Sequence, residues 1–262
     1  MRVFITGGAS GLGRALALHW AAQGAQVAIG DVQDGHPVVA EIDAAGGTGM
    51  FLRCDVTDGD SLAAVAARLE AEWGGLDLLV CNAGVATAGT LEQETPAQWQ
   101  WVFDINLFGV VRTCQALVPL LGEGGRVLNI ASQAGLNAMP KMGSYSAVKA
   151  AVVSFSETLA LELADRGISV STACPAFFKT NLDKGLRSAD PAMTAILQKL
   201  FAKAPLSAGQ VALAIAEGVA QRKALILPHS AGRKAYWLKR LLPRERYLAL
   251  MLKQTRRLRR AS

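Results

Sequence analysis

The chain has 262 residues, of which 51% are hydrophobic and 26 are glycine, and its formal net charge is +6. That length suits one large α/β unit, and the apolar content excludes a disordered chain. No run of eighteen uninterrupted apolar residues occurs, so no membrane-spanning helix is expected.

Met1-Arg2-Val3 leads directly into a strand, so neither a secretory signal nor a transit peptide is expected, and a cytoplasmic location is. Hydrophobic periodicity predicts strands at 2–6, 26–30, 49–53, 76–80, 125–131, 168–174 and 224–227. Helical stretches fall near 12–23, 36–45, 60–73, 97–121, 144–165 and 207–221. Strands that are apolar throughout and separated by helices predict a parallel sheet covered on both faces. The expected fold is therefore α/β: one Rossmann-like domain with a doubly wound, seven-stranded parallel sheet and its ligand at the carboxyl ends of the strands. The four cysteines (Cys54, Cys81, Cys114, Cys174) are widely spaced in apolar segments and read as reduced core thiols. They and the scattered His19, His36 and His229 give no expectation of a metal site.

After the first strand comes Thr6-Gly7-Gly8-Ala9-Ser10-Gly11-Leu12-Gly13, and after that an Ala/Leu-rich helix. Strand, glycine turn and helix is the arrangement in which bare amides and a helix N-terminus meet a pyrophosphate. A side chain at Gly7, Gly11 or Gly13 would crowd the turn, the phosphate approach or the helix packing. Asp31 closes the second strand, 18 residues after Gly13, where a carboxylate accepts hydrogen bonds from an adenosine ribose. It also repels a 2′-phosphate, and neither Val32, Gln33 nor Ser10 is basic, so NAD is favoured over NADP. The plainer role for Asp31 is that of a polar residue ending a strand.

Ser132 follows the strand at 125–131 and so falls at its carboxyl end. Tyr145 and Lys149 open the next helix four residues apart, on one face. A phenol has an ordinary pKa of about 10, and a nearby ammonium favours its ionised form. The pair therefore offers a general base for an alcohol proton while hydride leaves for the cofactor, and Ser132 would hold the substrate oxygen. Taken singly, a Tyr/Lys pair on a helix and a Ser after a strand are commonplace; downstream of a dinucleotide turn they converge.

Together these segments resemble the short-chain dehydrogenase/reductase family, in its single-domain form of roughly 250 residues. The resemblance rests on Thr6-Gly-x-x-x-Gly-x-Gly13, Asp55-Val56, Asn82-Ala83-Gly84, Asn106, Ser132, Tyr145-x-x-x-Lys149 and Pro175-x-x-x-x-Thr180, and covers residues 1 to about 228. It implies a catalytic tetrad of Asn106, Ser132, Tyr145 and Lys149, with Lys149 also on the nicotinamide ribose and Asn106 steadying a water in a proton relay. It implies that Gly7, Ser10, Gly11, Leu12 and Gly13 cradle the cofactor. Asp55 and Val56 would then meet adenine, Asn82, Ala83 and Gly84 pass the adenosine ribose, and Thr180, with Pro175, bond the carboxamide. Asn106 also reads as a polar helix breaker, and Asp55 as a strand-end turn. Cys81 stands where the family usually has another Asn, and Ala176 where it has a Gly. Ser10 and the single lobe argue against the longer sugar-nucleotide epimerases. A homodimer or homotetramer built on helices 97–121 and 144–165 is implied as well.

Gln133, Leu136, Asn137, Met139, Phe177, Phe178, Leu182 and Leu186 should line the substrate pocket, which favours a hydrophobic alcohol or carbonyl compound. Lys141, Lys179 and Lys184 read as solvated loop charges. The segment of about 181–204 reads as a lid over hydride transfer, or as a surface excursion packed on the sheet. Residues 1–232 form the catalytic unit in this reading, and 233–262 a basic helical extension. From Arg233 to Arg260 there are eleven Lys/Arg against Glu245 alone, a local charge of +10 that leaves −4 on residues 1–232. Trp237, Leu238, Leu241 and Leu242 recur at helical spacing. Beyond Pro243, Tyr247, Leu248, Met251, Leu252 and Leu258 fall near one face of a second helix. Such a stretch lies on an anionic membrane surface, covers the protein's own substrate mouth or packs on a partner subunit; no nucleic-acid recognition fold accompanies it. The expected function is NAD-dependent interconversion of alcohol and carbonyl. An NADPH-dependent carbonyl reductase and a catalytically silent NAD(H)-binding sensor are the alternatives.

Overall fold

Val3 and Ile5 point to one face of the first strand and Phe4 to the other, and all three are fully buried. In the computed structural model, which describes residues 1–179 and 186–260, that strand lies at the centre of a seven-stranded sheet. The strands are β1 (Arg2–Thr6), β2 (Gln26–Asp31), β3 (Thr48–Arg53), β4 (Leu76–Cys81), β6 (Leu121–Ile130), β7 (Ser169–Ala173) and β9 (Leu225–Ile226). They pair in the order β3-β2-β1-β4-β6-β7-β9, every neighbour parallel. The order reverses between β1 and β4, which opens a crevice at their carboxyl ends. All seven predicted strands are present. β6 begins four residues early because Leu121 pairs with Leu76 across a register shift. A second sheet of β5 (Ala86–Ala88) and β8 (Leu186–Ser188) was not foreseen, since three residues such as Ala-Thr-Ala carry no strand signature.

The helices are α1 (Gly11–Ala21), α2 (His36–Ala44), α3 (Gly59–Trp73), α4 (Pro96–Phe103), α5 (Gly109–Leu117), α6 (Gln133–Leu136) and α7 (Gly143–Glu162), then α8 (Pro191–Ala202) and α9 (Ala208–Ala220). The chain ends in α10 (Ser230–Leu241), α11 (Arg244–Gln254) and α12 (Arg256–Arg260). Leu12, Leu16, Val38, Ile42, Val211 and Ile215 bring α1, α2 and α9 onto the Val3/Ile5 face. Leu62, Leu69, Val110, Leu117, Val152 and Leu159 bring α3, α5 and α7 onto the Phe4 face. Each such side chain contributes about 1.5–3 kcal/mol of hydrophobic stabilisation.

The predicted helix 97–121 is broken at Asp104–Phe108, which forms a π turn between α4 and α5. As a whole, Pro96–Leu120 is long and apolar enough to span a bilayer. Here Val102, Val110 and Leu117 pack it into the core, so it reads as a core helix.

Candidate active site

The glycine turn is held by close backbone approach. Gly7 has φ +67°, and a Cβ there would lie 2.8 Å from the Ala83 Cα. At Gly13 a Cβ would lie 2.2 Å from the Gly7 carbonyl oxygen, inside contact distance. Gly8, which the motif leaves free, is also required, because a Cβ would sit 2.5 Å from that of Ile29. Asn82 locks the turn from β4: its Nδ2 donates to the carbonyls of Thr6 and Gly7, both at 3.0 Å. The N–H groups of Asn82 and Ala83 donate to Thr6 Oγ1. Ser10 stands at the N-cap of α1 in extended conformation, but its side chain makes no cap hydrogen bond. The first-turn amides of α1 are left facing the crevice, which suits an anion such as a pyrophosphate.

Asp31 ends β2 and accepts N–H bonds from Ala9 and Gln33, each at 3.0 Å, so it ties the turn to β2 as well as facing the crevice. Asp55 accepts from the Thr57 amide at 2.9 Å and hydroxyl at 2.7 Å, making the strand-end turn while still lining the same space. A single cleft of about 1080 Å3 is bordered by Gly7, Ser10, Gly11, Leu12, Asp31, Asp55, Val56 and Asn82 through Gly84. The same cleft is bordered by Ser132, Gln133, Met139, Tyr145, Lys149, Pro175, Phe177 and Phe178. Of the predicted site residues, Gly13 lies behind the turn and Asn106 behind the wall, and Leu136 and Leu186, expected in the substrate pocket, do not border the cleft. Thr180 lies outside the described residues, as do Leu182 and Lys184.

Ser132 follows β6 and caps α6, its Oγ accepting from the Ala134 amide at 3.1 Å. Tyr145 and Lys149 are 8% and 4% exposed. Lys149 Nζ donates to the Ile130 carbonyl at 2.9 Å and lies 6.0 Å from the Tyr145 ring centroid. Burial pushes the phenol above its ordinary pKa, and a hydrogen bond with Ser132 pulls it partly back. This differs from the expected acidification by Lys149. At this separation desolvation governs the tyrosine, and it also brings Lys149 itself down to about 8. Asn106 is fully buried in the π turn and clamps Val85, accepting from its N–H and donating to its carbonyl, both at 2.8 Å. Steadying a water, as the resemblance implies, would have to use groups other than those Val85 engages.

Glu94 was not singled out in the sequence. It is buried before α4 and substitutes for the missing cap of α7, accepting from Ser144 N–H at 3.3 Å and from Ser144 Oγ at 2.7 Å. Thr87 completes the cluster, its hydroxyl 2.6 Å from that of Ser144. A carboxylate at this N-terminus is favoured by the helix dipole and fixes the turn that carries Tyr145. No spacing in the sequence connects Glu94 with Ser144.

Lys141 is not a solvated charge. It pairs with Asp190 at 2.7 Å with both side chains 7% exposed, because β8 and α8 fold over its loop. Asp190 also caps α8 through the amides of Ala192 and Met193. Met193 and Leu197 of α8 join an apolar cluster with Tyr145 and Val148. Phe177 meets Phe201 edge-on, centroids 5.2 Å apart.

The basic extension closes the far side of the cleft. Ala231, Gly232, Ala235, Met251, Thr255 and Leu258 border it. Gln133 Nε2 donates to the Gly232 carbonyl at 3.2 Å, Tyr247 donates its hydroxyl to Asn137 Oδ1 at 3.3 Å, and Lys239 Nζ donates to the Leu136 carbonyl. Of the three alternatives for this segment, the structure shows contact with the protein's own cleft. Of the apolar residues the pattern named, Tyr247, Met251 and Leu258 take part in it, whereas Trp237, Leu238, Leu241, Leu248 and Leu252 are exposed.

Residues 1–191 match the family model described as short chain dehydrogenase. A 3beta-hydroxysteroid dehydrogenase of Mediterraneibacter gnavus is 37% identical over 184 residues, 69% of this chain and 67% of that protein. The probable oxidoreductase EphD of Mycobacterium tuberculosis is 32% identical over 254 residues, which are 92% of this chain but 43% of EphD. This chain thus spans less than half of that relative. A short-chain dehydrogenase/reductase from Burkholderia phymatum, solved in complex with NAD, superposes with a TM-score of 0.86 at 33% identity, covering 91% of this chain and 92% of that one.

Proposed function

The chain belongs to the short-chain dehydrogenase/reductase family, and from that premise we propose that it is an NAD-dependent oxidoreductase interconverting an apolar secondary alcohol and its carbonyl counterpart. One observation carries this reading: a buried phenol, in the same cleft wall as Ser132 and one helical turn from Lys149, shares a cleft with the uncapped N-terminus of α1. The glycine turn, Asp31, Asp55, Val56, Asn82–Gly84, Pro175 and Lys149 would hold a nicotinamide dinucleotide, with Thr180 proposed on its carboxamide. When bound, that cofactor supplies the hydride acceptor or donor.

Tyr145 Oη takes the alcohol proton in oxidation and returns it to the carbonyl oxygen in reduction. Ser132 Oγ donates to the substrate oxygen as negative charge builds there. Lys149, held by the Ile130 carbonyl, supplies positive charge beside the phenol below its own pKa of about 8. Asn106 keeps the wall at Val85 in place. The Asp31 carboxylate favours a free 2′-hydroxyl and disfavours a 2′-phosphate, which supports NAD. Met139, Phe177, Phe178 and Phe201 give the substrate half an apolar lining, and β8 and α8 lie in the described part of the lid. Phe108 and Leu161, exposed on the two helices named for assembly, support a homodimer or homotetramer.

The test is a panel of apolar alcohols and ketones, followed at the nicotinamide absorbance band with NAD(H) and NADP(H), beside Tyr145→Phe. Turnover with NAD(H) that Tyr145→Phe abolishes is expected. NAD binding without turnover of any panel member would favour the silent sensor, and turnover only with NADP(H) the reductase.

A further inference from the structure

Helices α10 and α11 bury small residues and expose large apolar ones. Gly232 meets Gln133 so closely that a Cβ would lie 2.6 Å from its Oε1, and Ala231 and Ala235 border the cleft beside it. The opposite side of α10 carries Trp237 and Leu241, four residues apart and 55% and 76% exposed. In α11, Tyr247 is buried, while Leu248 and Leu252, again four apart, are 50% and 55% exposed. Five of the eleven large apolar side chains left exposed among the described residues lie on these two helices. Arg244, Leu248, Leu252 and Arg256 follow one another at four-residue steps, so cations bracket the apolar pair. Among the described residues no carboxylate forms an ion pair with this segment, whose only acid is Glu245.

We propose that the outer face of α10 and α11 docks on an anionic lipid bilayer. A bilayer matches both features at once: its headgroups take the cations, and its acyl boundary takes Trp237, Leu241, Leu248 and Leu252. A second copy of this chain meeting the same face would set two segments of +10 against each other. A nucleic acid would neutralise the charge but leave the leucines in water. The inner faces of these helices border the cleft, so docking would hold its mouth against the lipid surface. That consequence rests on the apolar substrate proposed above; docking itself does not, and is measured without turnover.

The experiment is co-sedimentation of the full chain with vesicles of phosphatidylglycerol and phosphatidylcholine, and with phosphatidylcholine alone. Binding to the mixed vesicles is expected to exceed binding to the neutral ones at least tenfold and to fall steeply with added salt. Joint replacement Trp237→Ser, Leu241→Ser, Leu248→Ser and Leu252→Ser, all at exposed positions, should reduce it at least tenfold while NAD binding and thermal unfolding stay as in the wild type. Should the variant unfold early, Arg244→Gln with Arg256→Gln serves in its place and should weaken binding to the mixed vesicles alone. Equal recovery with both vesicle types, or undiminished binding by a folded variant, overturns the proposal. A wild-type oligomer that ignores vesicles and dissociates in the variant would assign the face to a second copy, and overturns it too.

Discussion

Lys149 is expensive to keep charged where it stands. Burial lowers its pKa from 10.5 to about 8. At about 1.36 kcal/mol per pH unit, the ionised side chain destabilises the folded chain by about 3 kcal/mol below pH 8, where folded and unfolded states both hold the proton. Between pH 8 and 10.5 the unfolded state binds the proton that the folded state has released, so stability rises with pH. By pH 10 the penalty has shrunk to about 1 kcal/mol. Lys149→Met keeps most of the side-chain length without the charge, and leaves the Ile130 carbonyl without its donor at a cost of about 1–2 kcal/mol. At pH 7 the variant should therefore be more stable than the wild type by about 1–2 kcal/mol, and by pH 10 that advantage should vanish. Urea unfolding of both proteins at both pH values tests this, because groups common to the two cancel in the difference. Turnover should collapse in the variant throughout. A stability difference that does not change between pH 7 and pH 10, or a variant less stable at pH 7, would refute the claim that burial controls this lysine.

Tyr145→Phe removes only the transferable proton, so turnover should fall by about 100-fold or more while NAD affinity, read by isothermal titration, stays within a few-fold. In the wild type the raised phenol pKa means that alcohol oxidation should climb with pH through the alkaline range, since the base form must be regenerated; a flat profile would count against Tyr145 as the base. Asp31→Ala should move the ratio of NAD to NADP affinity toward NADP by about tenfold or more, because a carboxylate no longer faces the 2′ position; an unchanged ratio would separate Asp31 from cofactor choice. Glu94→Ala should destabilise the chain by about 2–3 kcal/mol, as Ser144 loses a charged acceptor at the start of α7. Glu94→Gln should restore part of that stability in the same unfolding assay.

The sheet was legible because most of its strands are short apolar runs that alternate with helices, so period and order suffice. The glycine turn was legible for a related reason: at Gly7 and Gly13 the backbone itself occupies the place of a side chain. Ser132, Tyr145 and Lys149 could be placed because strand end and helix start fix where they point. What escaped was set by contacts between distant segments. Glu94 reaches Ser144 across 50 residues and Lys141 reaches Asp190 across 49, and neither pair has a spacing that periodicity can register. The direction of the Tyr145 shift escaped as well, since residue types reveal a neighbouring charge but not the depth at which the phenol is desolvated.

The extension shows the same limit more sharply. In sequence, Tyr247, Leu248, Met251 and Leu252 form one apolar group, yet the fold divides them between two surfaces: Tyr247 and Met251 turn toward the cleft, Leu248 and Leu252 away from it. A hydrophobic pattern tells which residues avoid water, not which of two apolar surroundings receives them. On α10 the division is by size, because Ala231, Gly232 and Ala235 let that helix approach Gln133 where Trp237 could not fit. Large apolar side chains left outside a well-covered cleft, with cations around them, call for a partner that is both apolar and anionic. The charge separation along the chain follows the same logic, with −4 on residues 1–232 and +10 on residues 233–262. A bilayer that attracts the extension repels the rest of the chain, which would orient the bound protein with its mouth toward the lipid.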